Sequence, residues 1–122
     1  MSKANISLLT LTVIAAAALA ANRFVKTAGT YPAAGGLALG VTRCDGVVGD
    51  PLPVDVLGTA VVQAGAAIGL DVPVMVTATG TVIPHDGDGD KHAVGRSLEA
   101  VADGELVEIL LVPTAGVLVT AL

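Results

Sequence analysis

The residues best suited to chemistry lie in one polar segment, residues 85–92, which reads HDGDGDKH. Its three acidic residues are Asp86, Asp88 and Asp90. They have the spacing of the first ligands of an EF-hand calcium loop, but that motif also needs glycine at position six and glutamate at position twelve. This chain has Lys91 and Ser97 there. The pattern therefore predicts a solvated hairpin tip without a metal site, and weak cation binding is the open alternative.

Other candidates for catalysis are weaker still. His85 and His92 are two potential zinc ligands without a third at suitable spacing. Glu105 and Glu108 are three positions apart, so a β-strand places them on opposite faces. The chain has no Gly-x-Ser-x-Gly motif and no phosphate-binding loop. We predict no enzyme activity, no catalytic residue and no cofactor, with a metal-dependent binding module or hydrolase built on residues 85–92 as a rival hypothesis.

The composition limits the classes of partner. Hydrophobic residues make up 53% of the 122 residues and charged residues only 14%, whereas soluble domains usually have about 25% charged residues. The surplus of apolar residues predicts self-association or docking. The net charge is −5 and the six basic residues are scattered, which excludes the basic stripe that nucleic-acid binding needs. The single cysteine, Cys44, cannot form an intrachain disulfide.

The elements that would position these residues are short strands. Apolar runs alternate with glycine and proline at intervals of roughly 8 to 12 residues, which predicts an all-β fold, a small antiparallel β-barrel or β-tulip-like sandwich. We expect a hairpin around Gly80, another around Asp103-Gly104, and two short paired runs around Gly58. Residues 45–53 contain two glycines and two prolines, which predicts a loop.

The N-terminal region supports two interpretations. Residues 6–21 form an apolar run that ends in Ala-Leu-Ala and has the outline of a signal peptide. However, residues 9–13 alternate between apolar and hydroxyl side chains, which is typical of a half-buried strand. We therefore predict an extended N-terminal arm, residues 1–14, that leaves the domain at residues 15–112 and completes the sheet of a neighbour. The alternative is an exported cell-surface or pilus-type β-domain from which residues 1–20 are removed.

A second apolar segment, the tail, follows the domain at residues 113–122 and has no charged side chain. Arm and tail could each add a strand to the open edge of a partner. The side chains expected to bind a partner are Ile6, Leu8, Leu9, Leu11, Val13 and Ile14 in the arm and Val117, Leu118, Val119 and Leu122 in the tail.

Four segments in order carry a family resemblance: residues 15–29, 40–68, 73–84 and above all 93–111, which reads AVGRSLEAVADGELVEILL. Together they resemble the capsid cement or head decoration proteins of tailed bacteriophages. The resemblance implies a structural protein that binds the outer surface of an assembled phage head and stabilises it. It also implies synthesis in the host cytoplasm, the major capsid protein as partner, and a homotrimer or other small homo-oligomer, without nucleic acid or membrane. The tail lies beyond the matching segments.

Overall fold

The computed structural model describes residues 5–87 and 89–112. This part of the chain folds into strands, turns and bends without a helix, so the all-β prediction is confirmed. It accordingly contains no helix that could cross a membrane. The predicted partner-binding residues of the tail lie outside the described residues.

Within the described residues, eight antiparallel strands form one sheet in the order β2-β3-β4-β8-β7-β5-β6, with β1 paired to β4. The strands are β1 (Ser7–Ile14), β2 (Phe24–Val25), β3 (Gly40–Thr42), β4 (Pro51–Gln63), β5 (Pro73–Val76), β6 (Val82–Pro84), β7 (Gly95–Ser97) and β8 (Leu106–Leu111). The hairpin predicted around Gly80 joins β5 to β6, and the segment that contains Asp103-Gly104 joins the paired strands β7 and β8.

The sheet curls until its two ends meet. Val82 in β6 forms a bridge with Ala64, the residue that follows β4. At the other end, the amide of Phe24 in β2 donates to the carbonyl of Gly80 at 2.8 Å. The enclosed space is filled by small and branched side chains around Phe24, as expected for a chain with one phenylalanine and no tryptophan. The predicted small barrel-like fold is therefore confirmed.

Strand β4 differs from the prediction. Residues 54–57 and 59–63 belong to one continuous strand that begins at Pro51, so two predictions were wrong: the pair of short strands around Gly58, and the part of the loop at 51–53. Gly58 has φ of +103° and allows close approach to β1, because an added Cβ would lie 2.1 Å from the carbonyl oxygen of Ile6. The carbonyl of Pro53 accepts from Arg43, so its missing amide points to the side where β3 ends at Thr42.

Alternate residues of β4 lie in both hydrophobic clusters of the core. Its residues Leu52, Val54 and Val56 pack in a smaller cluster with Val13, Ala15, Leu19 and Val25. Farther along the same face, Ala60 and Val62 belong to the larger cluster inside the curled sheet. Alternate residues of one strand thus contribute to both clusters, which makes β4 the central strand of the fold.

The arm also differs from the prediction. Residues 7–14 do not extend away from the domain but pair antiparallel with residues 51–58 of β4 in the same chain. Val13 is 4% exposed and packs in the smaller core cluster. The physical reason is that β4 is long enough to pair with β1, β3 and β8 along its length. The folded domain therefore begins before residue 15, and β1 is an edge strand, paired only to β4 among the described strands.

Candidate functional site

Segment 85–92 is closed by contacts among its own residues. His85 bonds through Nε2 to the carbonyl of Lys91 at 2.9 Å, and its Nδ1 accepts from the amide of Gly87 at 3.0 Å. The ammonium of Lys91 forms an ion pair with Asp86 at 2.6 Å. In the described part of the chain, no group of three or more histidine, cysteine or acidic residues is placed to hold a metal ion. Both ring nitrogens of His85 are engaged within the segment, and Asp88 lies outside the described residues.

Glu105 and Glu108 do not converge either. Glu105 accepts a hydrogen bond from the amide of Ala102 at 2.7 Å and stabilises the turn before β8. Glu108 is 1% exposed, and neither of its carboxylate oxygens has a hydrogen-bond partner in the described part of the chain. A buried carboxylate without a partner costs stability, and the sequence pattern did not predict its burial. The two carboxylates are not arranged for acid and base catalysis.

A polar cluster fixes β1 to the sheet. Asp55 of β4 is 1% exposed and faces β1 on one side and β3 on the other. Its carboxylate accepts from Arg43 Nε at 2.8 and 3.0 Å and from Thr10 Oγ1 at 3.0 Å. Since hydrogen bonds to a carboxylate from a guanidinium are stronger than those between neutral groups, this cluster ties three segments of the chain together.

The same contacts change the acidity of Asp55. Burial raises the pKa of this carboxyl, but the side-chain hydrogen bonds outweigh burial and hold the pKa below its ordinary value. The donors are Arg43, Asn5, Ser7 and Thr10. Because three of these four donors precede or belong to β1, the charged form of Asp55 stabilises the docked position of this strand.

An apolar groove lies beside β1 and is here called the β1 groove. It has a volume of about 660 Å³, and its lining comprises Leu9 and Leu11 of β1, Val56 and Leu57 of β4, and residues 26–28 and 37–39. Four leucines in this lining, at positions 9, 11, 37 and 57, are each 39% to 47% exposed. Contiguous exposed apolar side chains on a folded domain are typical of a protein interaction site.

The structure divides the six predicted arm residues into three groups. Leu9 and Leu11 line the β1 groove, and Val13 is buried in the core. The other three are exposed outside the groove: Ile6, Leu8 and Ile14. Five of the six are therefore accessible in the single chain, and Val13 is available to a partner only if β1 leaves β4.

Sequence reasoning missed half of the groove. The pattern of residues 37–43 (LALGVTR) predicts a strand, but the strand begins at Gly40 and leaves Leu37 outside it. Leu57 was predicted to belong to one of the two short paired runs around Gly58. Leu37 precedes β3, Leu57 lies within β4 opposite Leu9 of β1, and both side chains are exposed at the groove. The only signal in the sequence was the low fraction of charged residues, which predicts surplus apolar surface without locating it.

The chain is similar to a known protein family and to a solved structure. A family described as phage cement protein matches residues 3–112. The chain is similar in fold to the crystal structure of the N base of head fiber gp8.5 in bacteriophage phi29, with a TM-score of 0.72 and 23% sequence identity. This similarity covers 85% of the chain and 93% of the phi29 chain. A search of curated proteins finds no match.

The family match extends through all eight strands, from before β1 to the residue after β8. It therefore includes β1 and the groove that β1 helps to form, but not the tail. The resemblance predicted from the four segments between residues 15 and 111 is confirmed. The chain belongs to the phage cement protein family and has a structural role associated with the phage capsid.

Proposed function

We propose that the protein binds the outer face of an assembled phage head and stabilises it, without catalysis. The observation that carries the proposal is the exposed apolar surface at β1. Seven of the eight residues of this strand pair with β4, yet Ile6, Leu8 and Ile14 expose more than half of their surface. When a partner covers this surface, binding is favoured by roughly 25 cal/mol for each Å² of apolar area that is removed from water.

Stabilisation follows from binding equilibria. A protein that binds the assembled shell better than its separate subunits lowers the free energy of the shell, by about 2.7 kcal/mol per site at a free concentration of 100 times Kd. Because a shell offers many equivalent sites, modest contacts at each site are sufficient. The partners in this proposal are the major capsid protein and other copies of this chain, in a homotrimer or another small oligomer on the virion surface, after synthesis in the host cytoplasm.

The contacts to the capsid are assigned to the exposed side chains of the β1 region. Leu8 is the most exposed of these side chains at 71%. A matched control is Leu70, which is 62% exposed and lies outside the β1 groove. We expect Leu8→Asp to weaken head binding at least about 10-fold, equivalent to about 1.4 kcal/mol, and Leu70→Asp to leave it unchanged. Equal effects would contradict the assignment to β1.

The proposed role is tested with heads that lack the protein. These heads should assemble, rupture at a lower temperature than complete heads, and regain the higher rupture temperature when purified protein is added. Failure to assemble without the protein would indicate a role in construction and would contradict the proposal. Unchanged rupture temperature after saturating binding would contradict stabilisation.

A different measurement distinguishes the cement proposal from the alternative of an exported protein. It requires the native protein to lack residues 1–20, which include β1 and the core side chains of Val13, Ala15 and Leu19. The cement proposal expects these residues in the virion-bound protein. The intact mass of the protein isolated from virions distinguishes the two, because removal of twenty residues changes the mass far beyond experimental error.

A further inference from the structure

We propose that the β1 groove binds the tail, residues 113–122, of a second copy of this chain. The inference deepens the proposed function and rests on its self-association, because it assigns the surface through which copies join. It also separates two roles at β1. Leu9 and Leu11 face the groove, whereas Leu8 and Ile14 are exposed outside it and stay accessible to the capsid.

The first argument is where the chain leaves the described domain. Val112 follows β8 and lines a small depression of about 20 Å³ together with Leu37, Leu39 and Val56. Leu37, Leu39 and Val56 also line the β1 groove, so the depression is adjacent to the groove. Val112, the last described residue, therefore lies on the side of the domain that carries the groove. Copies that bring these sides together place each tail next to the groove of a neighbour.

The second argument concerns reach. The first residue of the tail is Pro113, and proline favours extended backbone at the residue before it, here Val112. The amide of Val112 still pairs with the carbonyl of Val94 at 3.1 Å, so the chain leaves in the direction of β8. Ten residues in extended conformation span about 33 Å, which is comparable to the diameter of a domain of this size. A segment of this length is long enough to reach the groove of an adjacent copy.

The third argument is chemical complementarity. The tail reads PTAGVLVTAL and has no charged side chain, and the groove is lined mostly by leucine, valine and alanine. With only 14% charged residues in the whole chain, a single copy has more apolar side chains than its interior accommodates. Exchange of tails between copies buries both surfaces, and β1 provides an edge strand for additional main-chain pairing.

The test uses full-length protein in which the exposed Cys44 is replaced by serine. One preparation carries Leu37→Cys in the groove, and the other carries Val119→Cys in the tail. We expect the mixture to form a disulfide-linked heterodimer under mild oxidation, at a rate about 100-fold above that of a mixture with Leu70→Cys instead of Leu37→Cys, because docking raises the effective concentration of the two thiols. Rates equal to the Leu70→Cys control would overturn the proposal.

A chain that carries both Leu37→Cys and Val119→Cys tests whether the groove binds the tail of its own chain or the tail of another copy. Covalent dimers and higher species are expected, and an internally linked monomer would overturn the proposal because the groove would then hold the tail of its own chain. Folding is controlled by a second measurement, the molar mass in solution. Leu37→Glu should shift the mass towards the monomer and Leu70→Glu should not. These experiments contain no heads, so a failure here is distinct from a failure of capsid binding.

Discussion

Strand β1 and segment 85–92 are both at the surface, but their side chains are satisfied to different degrees. In segment 85–92 the groups that suggested metal chemistry bond to one another, as His85 does to Lys91 and Lys91 to Asp86. In β1 the backbone is paired and Thr10 is anchored on Asp55, whereas Leu8, Leu9 and Leu11 have no complete cover. Polar groups that bond to each other gain little free energy from binding a ligand. Exposed leucines on a paired strand gain more when a partner protein covers them.

The first prediction compares a charge at a buried position of β1 with a charge at an exposed position of the same strand. Val13→Asp places a carboxylate in the core cluster and should cost more than about 3 kcal/mol, because a buried charge without a partner is strongly destabilising. Leu11→Asp changes a groove residue that is 40% exposed and should cost about 1 kcal/mol or less. Denaturant unfolding at equilibrium measures both. Equal, small effects would show that β1 is a free arm in solution, as the sequence predicted.

The second prediction concerns the approach of β1 to β4. Gly58→Ala places a Cβ 2.1 Å from the carbonyl oxygen of Ile6 at a positive φ and should cost about 3 kcal/mol through strain and loss of pairing. Gly49→Ala is the matched control, since Gly49 has φ of +93° but open space around it. We expect about 1 kcal/mol there from backbone strain alone. Thermal unfolding of the two variants gives the contribution of the β1 contact as their difference.

The third prediction is a pH dependence. A carboxyl whose pKa is lowered by folding stabilises the fold above the pKa of the unfolded chain, and this contribution is lost as pH falls through the folded-state pKa. Asp55 has such a lowered pKa. Asp55→Asn should therefore cost about 2 kcal/mol at pH 7, and its difference from the natural protein should shrink below about pH 4. Unfolding measured from pH 7 to pH 2 checks this.

The control for Asp55 is Asp71, whose side chain is 66% exposed and lies 3.8 Å from Arg96. Exposed pairs of this kind contribute little, so Asp71→Asn should change stability by less than about 0.5 kcal/mol at every pH. A difference between Asp55→Asn and the natural protein that stays constant down to pH 2 would contradict the role of the charged carboxylate.

The smallest effect is expected in segment 85–92. Replacement of Asp86, Asp88 and Asp90 by asparagine should change stability by less than about 0.5 kcal/mol, because exposed substitutions away from the core have small effects. Head binding should also be unchanged. Thermal unfolding with and without millimolar calcium provides the check. A calcium-dependent stabilisation that is present in the natural protein and absent in the variant would restore the metal hypothesis.

Local patterns in the sequence predicted the elements that are held by local contacts. The turn at Gly80 and the pairing of β7 with β8 followed from glycine positions, and the alternation at residues 9–13 predicted β1 as a strand. The continuous strand β4 was missed because its prolines and Gly58 normally mark turns. Their tolerance depends on where β3 ends and how closely β1 approaches, and these contacts join residues that are distant in sequence.

The groove was beyond sequence reasoning for the same reason. It combines residues from four separate segments, and no short pattern shows that Leu9, Leu37 and Leu57 share one surface. The burial of Val13 depends on the same long-range pairing. Composition predicted that apolar surface would be left over, and only the fold shows which side chains provide it.

The central claim, attachment to the outside of the head, is tested most directly by electron cryomicroscopy of heads with and without the protein. The account predicts additional density on the outer face of the complete heads, shaped like the curled sheet and contacting the capsid through the β1 side of the domain. This density should be absent from heads that lack the protein and return after its addition. Density on the inner face, or identical maps of the two kinds of head, would contradict the account.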